Sequence, residues 1–210
     1  MFQEYEASAV TRYRGYMSDA RPTGQNFRAT DGHSWFFDSG ATAFDFAYTG
    51  AMGDNPLWEQ LHSPNDLAAW LDERFPGTDT TDRDLVDARA LRAAIANALT
   101  ATGRGASPAP ADVDVINLFA ATPDIPPALA GGTRQAGRTR ARAGQALSAM
   151  AREAVGLFGP ELRERIRPCA ADDCGLVFFD ESRSNNRRWC SMKRCGNRAK
   201  VRAHRSRAAS

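Results

Sequence analysis

"RRWCSMKRCGNRAKVRAHRSR" (residues 187–207) places two cysteines at the head of a basic run that holds nine Lys/Arg and no acid. A second pair lies in "RPCAADDCG" (residues 167–175), and these four are all the cysteines of the 210-residue chain. Four residues separate the members of each pair, and fifteen residues separate the pairs. Four thiolates at this spacing can close a tetrahedral zinc site of the structural kind. We therefore predict one Zn²⁺ per chain, bound by Cys169, Cys174, Cys190 and Cys195.

Other roles stay open for these cysteines, although they fit less well. An iron–sulfur cluster also takes four thiolates, whereas buried structural thiols or a redox pair would not explain the symmetric spacing. His204 could replace a ligand, but it follows Cys195 by nine residues, so a surface position suits it better.

The first residues carry acids where a secretory signal would be basic and then apolar, and no apolar run approaches a membrane span. We expect a cytoplasmic protein, where clustered cysteines more often bind metal than form disulfides.

The segment between the cysteine pairs predicts a β-hairpin. "GLVFFDESRSNNRRW" (residues 175–189) has an apolar strand at 176–179, a polar turn and a return toward Trp189. After the hairpin, Ser191 can cap a helix whose first turn holds Cys195, and a helix N-terminus favours a thiolate nearby. The first cysteine pair, Cys169 and Cys174, can form a knuckle before the hairpin. We therefore predict a small treble-clef-like zinc finger that consists of this knuckle, the hairpin and a C-terminal basic helix that carries a ligand.

Charge divides the chain into two unequal parts. Residues 1–180 carry 17 basic and 24 acidic side chains, a net −7, whereas residues 181–210 carry 10 basic and 1 acidic, a net +9. Such asymmetry is typical of a basic appendage for a polyanion, and the alternative is a solvated basic tail. The basic helix has too few apolar residues to fold alone, so zinc would supply its anchor.

Side chains along this helix suit a nucleic acid. Arginine pairs bidentately with guanine edges or phosphate and asparagine can read adenine, and RNA would accept much of the same surface. The candidates for DNA contact are Arg187, Arg188, Lys193, Arg194, Asn197, Arg198, Lys200, Arg202 and Arg205. The first three flank the metal ligands and are assigned to phosphate. Asn197, Arg198 and Arg202 lie further along and are assigned to base edges.

The N-terminal part reads as helix-rich. Amphipathic helices are predicted within 63–75, 81–103, 112–121 and 144–159. In the first of them Ser63 is the expected cap, Pro64 and Asp66 fall in the first turn, and Gly103 is the expected C-terminal cap of the second. Val113, Ile116 and either Phe119 or Ala120 are expected to face inward in the third. At 44–48 aromatic residues alternate with Asp45 and Ala47, which indicates a strand and leaves a short helix open.

Two segments have weaker patterns. Residues 1–34 are polar and punctuated by glycine and proline, which predicts an extension or a loosely attached segment. Residues 129–143 contain glycines and little apolar material, so either an exposed hairpin or a loop is compatible with them.

The C-terminal part resembles a known family, the CGNR zinc fingers. The resemblance runs from "CAADDCGLVFFD" (169–180) through "SRSNNRRWCSMKRCGNRAKVRAHR" (182–205) and includes the naming tetrapeptide, Cys195-Gly196-Asn197-Arg198. It implies a zinc-dependent DNA-binding tail.

The preceding part is similar to the ABATE domain, which stands before this finger in bacterial transcription regulators thought to be stress-induced. The supporting residues are "FDFAYT" (44–49), "SPNDLAAWL" (63–71) and "DARALRAAI" (87–95), with Tyr48 where we would expect asparagine. The resemblance implies an α/β sensor domain. We divide the chain into an extension (1–34), the ABATE-like domain (35–164) and the finger (165–210). Phe44, Asp45 and Tyr48 are the candidate contacts for a small-molecule effector.

These observations favour a homodimeric, zinc-dependent DNA-binding transcription regulator. An RNA-binding or ribosome-associated factor would use the same finger. An enzyme with a basic tail is the third hypothesis, but the sequence has no phosphate-binding glycine loop after a strand and neither an H-E-x-x-H nor a G-x-S-x-G motif. We therefore expect no catalytic residues.

Overall fold

The computed structural model describes residues 22–29, 32–50, 58–75, 77–126 and 141–208. Within these ranges the elements are β1 (Gln25–Arg28), β2 (Ser34–Phe37), α1 (Thr42–Ala47), α2 (Pro64–Asp72), α3 (Asp82–Gly103), α4 (Pro110–Ala120), α5 (Ala143–Phe158), β3 (Ile166–Pro168), β4 (Val177–Phe179) and α6 (Asn197–Ala208). We call residues 22–164 the body and residues 165–208 the finger. A helix-rich body with a small hairpin, followed by a cysteine cluster, a hairpin and a basic helix, confirms the predicted fold class.

Most of the predicted hairpin or loop over 129–143 lies outside the described residues, as do residues 1–21 of the predicted extension. None of the described helices is both long and apolar enough to cross a membrane.

The first hairpin pairs β1 with β2 in antiparallel register and contributes aromatic side chains to the core. Phe27 lies opposite Trp35, and their rings stack with centroids 5.6 Å apart. The Phe27 ring also meets Tyr48 edge-on at 5.7 Å. The described end of the predicted extension is therefore packed against the body.

Helix α1 occupies the segment for which a strand or a short helix was expected. Every residue of α1 is buried, so its sequence lacks the polar face of a surface helix. The alternation of Asp45 with aromatic residues therefore resembles the pattern of a strand. Glu153 of α5 accepts the first two backbone N–H groups of α1 at 3.2 and 2.7 Å. A carboxylate at this end satisfies donors that have no intrahelical partner and complements the helix dipole.

The start of α2 confirms the capping signals in the sequence. Ser63 and Asp66 form a reciprocal capping box, and Pro64 occupies the first turn of α2. Thr81 and Asp84 form the same arrangement at α3. These local bonds satisfy the free N–H groups of a helix start without tertiary help, which is why the sequence alone reveals them.

The end of α3 differs from the prediction. Gly103 is the last helical residue, but the left-handed conformation lies at Gly105, whose φ is +75°. Gly103 instead faces the finger, where an added Cβ would lie 2.7 Å from Cγ2 of Val177. A glycine at this position allows α3 to approach β4 closely.

Helices α3, α4 and α5 pack together as the main part of the body. Leu147, Met150 and Leu157 of α5 are buried, as their spacing predicts. In α4 Ile116 is buried, but Val113 is 38% exposed, so its predicted inward position is wrong. Helix α4 packs along one side on α3 and α5, and Val113 lies off that side.

The finger hairpin is present, but its strand pairing differs from the prediction. Strand β4 pairs with β3, Val177 opposite Pro168, and not with the segment that returns toward Trp189. Strand β3 has three residues and ends in proline, so it carries little strand signal of its own. The first cysteine pair consequently lies in the connection between the two strands.

Candidate metal centre and basic helix

The four cysteine sulfurs form one compact cluster. All four Sγ atoms lie within 4.8 Å of one another, with 3.7 Å between Cys174 and Cys190 and 3.5 Å between Cys190 and Cys195. Four sulfurs at about 2.3 Å from a tetrahedral Zn²⁺ would be about 3.8 Å apart, whereas a disulfide requires about 2.05 Å. All four are free thiols, and three are buried. The donor set therefore fits one structural Zn²⁺.

Backbone hydrogen bonds hold the ligands in place. The N–H of Cys169 donates to Leu176 at 2.8 Å, and that of Cys174 donates to Ala171 at 3.0 Å, which closes the knuckle. The N–H of Cys190 points at Sγ of Cys169 at 3.4 Å. An N–H group directed at a sulfur stabilises its thiolate form, so the backbone prepares the cluster for a cation.

The thiols of the cluster differ in pKa. The pKa of Cys169 lies far below the ordinary thiol value because Cys174 and Cys190 hydrogen-bond to its sulfur. The hydrogen bond to Cys169 raises the pKa of Cys174 to about 12 and is also the main cause of the raised pKa of Cys190. One thiolate among neighbouring thiols attracts a metal ion, whose binding releases the remaining protons.

The fourth ligand lies in a π-helical turn, Met192–Gly196, and not in a capped first turn of an α-helix. Ser191 occupies the cap position, but its side chain makes no cap hydrogen bond. Instead the Gly196 N–H donates to the Ser191 carbonyl at 3.1 Å, five residues back. A π turn places Cys195 differently from a regular helix, and such turns are frequent at functional sites.

Two family models match this chain, one over most of the body and one over the finger. The ABATE model, described as "Putative stress-induced transcription regulator", matches residues 40–161, more than half of the chain. The chain belongs to the ABATE family. The CGNR zinc finger model matches residues 165–208 and confirms the resemblance of the finger. A search of curated proteins finds no match.

The CGNR tetrapeptide acts largely inside the finger. An added Cβ at Gly196 would lie 2.8 Å from Sδ of Met192 and 3.3 Å from the Trp189 ring, so these side chains close over the glycine. The Asn197 amide donates to the Lys193 carbonyl at 3.2 Å. Asn197 thus helps to join the π turn to α6.

Arg198 connects the basic helix to the metal centre. Its Nη2 donates to Sγ of Cys195 at 3.3 Å, and its Nη1 donates to Asp173 of the knuckle at 2.9 Å. Arg202 reaches the other oxygen of Asp173 at 3.5 Å. Both arginines, which the sequence predicts at base edges, hold the knuckle against α6 in the structure, and their contact with DNA stays a prediction. Asp173 had not been singled out, although an acid between two ligands and next to a basic helix was the available signal.

Arg187 is the most internal of the predicted phosphate contacts. Its Nη2 donates to the carbonyls of Asp38 at 2.8 Å and Cys190 at 2.6 Å, and its guanidinium lies 4.1 Å from the Phe178 ring centre. Arg187 therefore joins the finger to the body.

The remaining cations of the finger are more exposed to solvent than Arg187. Arg188 is exposed and lies 5.0 Å from the Trp189 ring centre. Arg194 is half-buried, and its guanidinium stacks 3.7 Å from the ring centre of Trp35 on β2. The exposed cations of the finger with no described salt bridge or cation–π contact are Arg183, Lys193, Lys200, Arg205 and Arg207.

The three candidate effector contacts are fully buried. Phe44, Asp45 and Tyr48 have 0% exposure. The Tyr48 hydroxyl donates to the Val177 carbonyl at 3.0 Å and accepts the Val177 N–H at 2.8 Å. Burial raises the pKa of Tyr48, so the phenol stays protonated and able to donate. Tyr48 thus joins α1 to strand β4 of the finger.

Proposed function

We propose that this ABATE-family protein is a zinc-dependent, DNA-binding transcription regulator that binds duplex DNA through α6. The main support is that every residue of α6 from Val201 to Arg207 is exposed. The family description as a transcription regulator supports the same class and a role without catalysis.

A helix exposed on all sides gains little from packing. Helices in proteins are stabilised mostly by burying an apolar face, and Val201, the only large apolar residue of α6, is 49% exposed. Helix α6 is 12 residues long, which is about 18 Å, and an α-helix fits the major groove of duplex DNA. A polyanion would also neutralise its cations, which repel one another in the free protein.

Within the helix, we assign contacts by what each side chain already binds. Lys193, Lys200 and Arg205 are exposed and are the strongest candidates for phosphate. Arg202 is half exposed and forms a long ion pair with Asp173 at 3.5 Å, so its side chain can rotate toward a base edge. Arg198 contributes to DNA binding mainly by keeping α6 fixed to the metal centre.

The test is a competition between duplex DNA and structured RNA of equal length for the zinc-loaded protein. We expect duplex DNA to win and Arg205→Ala to weaken its binding. Arg83→Ala is the matched control because Arg83 is an exposed arginine on the body, where it pairs with Asp87. Preferential binding of RNA would replace this proposal with the RNA-binding one, and equal effects of the two variants would remove α6 from the interface.

We further propose that the protein binds DNA as a homodimer, because operators are usually read by two-fold dimers and one finger contacts few base pairs. Light scattering at tens of micromolar should give twice the mass of the chain, and a monomer with and without DNA would contradict this.

An effector of the regulator is also proposed to act through the body. Because Phe44, Asp45 and Tyr48 are buried, an effector that reaches them must open the contact between α1 and β4 and would thereby alter the finger.

A further inference from the structure

A groove separates the first hairpin of the body from the basic helix. It encloses about 480 Å³, is open to solvent, and has His33 on the hairpin side. The opposite wall belongs to the π turn and α6 and presents Lys193, Arg194, Arg198, Arg202 and Arg205. No carboxylate lines it in the part of the chain that the structure describes.

The hairpin is held beside the helix by a stacking contact. Arg194, in the π turn that precedes α6, lies with its guanidinium 3.7 Å from the ring centre of Trp35 on β2. Trp35 is itself buried, and its neighbour Phe27 is packed in the core. The position of the hairpin relative to α6 is therefore set by the core of the body.

The dimensions of duplex DNA make this position significant. An α-helix with its side chains is about 10–12 Å wide, and the major groove is about 12 Å wide. A helix in that groove consequently has a sugar–phosphate backbone along each of its sides. Whatever lies directly beside the helix must meet one of those two strands.

We propose that the β1–β2 hairpin of the body is part of the DNA interface, and that the groove between it and α6 receives the sugar–phosphate backbone of one strand. This inference rests on the proposed binding of α6 to duplex DNA. His33 then contacts the strand from one side, while Lys193 and Arg205 contact it from the other. The body contributes directly to affinity and sets the angle at which α6 enters the DNA.

The test changes the charge at His33 and compares it with the same change at His62. Both histidines are exposed on the body, but His62 precedes α2 and does not line the groove. Binding of the zinc-loaded variants to one duplex is measured at several salt concentrations. We expect His33→Arg to bind more tightly and to steepen the slope of log affinity against log salt by about one. His33→Glu should weaken binding, on the order of fivefold at low salt, while His62→Arg and His62→Glu remain close to wild type.

Duplexes with single neutral methylphosphonates locate the contact. Neutralising the phosphate in the groove should weaken binding of the wild type and have a smaller effect on His33→Glu.

Each result decides between the two proposals. If Arg205→Ala weakens DNA binding but the His33 variants match the His62 variants, the hairpin lies outside the interface and this inference alone is overturned. If the zinc-loaded wild type has no salt-dependent affinity for duplex DNA, the proposed function fails and the hairpin contact fails with it.

Discussion

The body and the finger are stabilised by different means, yet they share one core. The body buries apolar faces of its helices, whereas the finger has short strands and a helix with almost no apolar surface, and relies on four thiolates. At their junction Phe178 and Phe179 of the finger are as buried as the centre of the body. The Phe179 N–H also donates to the Ser39 carbonyl at 2.8 Å. The finger is therefore fixed in place from two sides, by zinc and by the body.

The largest effect should follow from removing a zinc ligand. Cys174→Ser should release zinc, because three thiolates no longer close the site, and should melt α6. We expect the junction with the body to loosen as well, because β4 belongs to the shared core. Elemental analysis and the tryptophan signal in near-ultraviolet circular dichroism measure the two effects. Ser191→Ala is the control, since that side chain makes no cap bond. An unchanged body signal after zinc loss would show that the two regions are independent.

The next effect is a pH dependence of stability that originates at Asp45 in the body. Burial raises the pKa of Asp45 from an ordinary 3.8 to about 7, against the opposing hydrogen bonds of Ser39 and Gly24. The Ser39 hydroxyl lies 2.6 Å from Asp45 and 3.0 Å from the Ala41 carbonyl. The Ser39 hydroxyl and the Gly24 N–H both donate to this carboxyl group and favour its charged form, but burial outweighs them.

The folded state therefore binds more protons than the unfolded state between about pH 4 and pH 7, so the contribution of Asp45 to stability falls as pH rises through this window. Asp45→Asn keeps the geometry of the protonated acid and should remove this part of the pH dependence. Urea unfolding at pH 5 and pH 8 measures it, with Asp114→Asn as an exposed control. Equal pH dependence in wild type and Asp45→Asn would contradict the assignment.

Removing one side-chain oxygen atom should weaken the contact between the body and the finger. Tyr48→Phe removes the hydroxyl that bonds both backbone groups of Val177 and leaves them buried, which should cost about 2–4 kcal/mol of unfolding free energy. Thr49→Val removes a buried hydroxyl that donates to the Phe46 carbonyl three residues earlier, within the body, and should cost less. If Tyr48→Phe also weakens zinc binding, the body supports the metal site. A loss no greater than that of Thr49→Val would show that this contact adds little.

The smallest of these effects concerns the hydrogen bond to the metal ligand. Arg198→Ala should lower zinc affinity by about 10–100-fold, because partners that orient ligands typically contribute that much. Competition with a chelator measures the affinity. Arg205→Ala is the matched control, since Arg205 is exposed on the same helix. Equal zinc affinity in the two variants would show that the hydrogen bond from Arg198 to Cys195 does not support the metal site.

The sequence predicts features that depend on local spacing. The four ligands follow from two C-x4-C pairs, and the start of α2 follows from capping residues next to a helical pattern. Features that depend on tertiary contact are predicted poorly. Helix α1 is buried on all sides and has no amphipathic pattern. The three residues of β3 acquire their strand conformation from β4.

The same limit applies to the basic residues. A guanidinium on a basic helix has the same sequence signal whether it faces solvent or a neighbouring acid. Arg198 is bound by the Asp173 carboxylate, 25 positions earlier, and Arg187 by the backbone carbonyl of Asp38, 149 positions earlier. Only the fold separates such residues from Arg205, which is exposed and makes no described salt bridge.

The salt dependence of duplex DNA binding by zinc-loaded wild type and by Cys174→Ser tests the central claim most directly. If zinc and the body present the cations of α6 to phosphate, log affinity of the wild type falls linearly with log salt, with a slope of about −3 or steeper for three or more phosphate contacts. Cys174→Ser should bind more weakly and with a shallower slope. A slope near zero for the zinc-loaded protein, or the same affinity and slope for Cys174→Ser, would contradict the account.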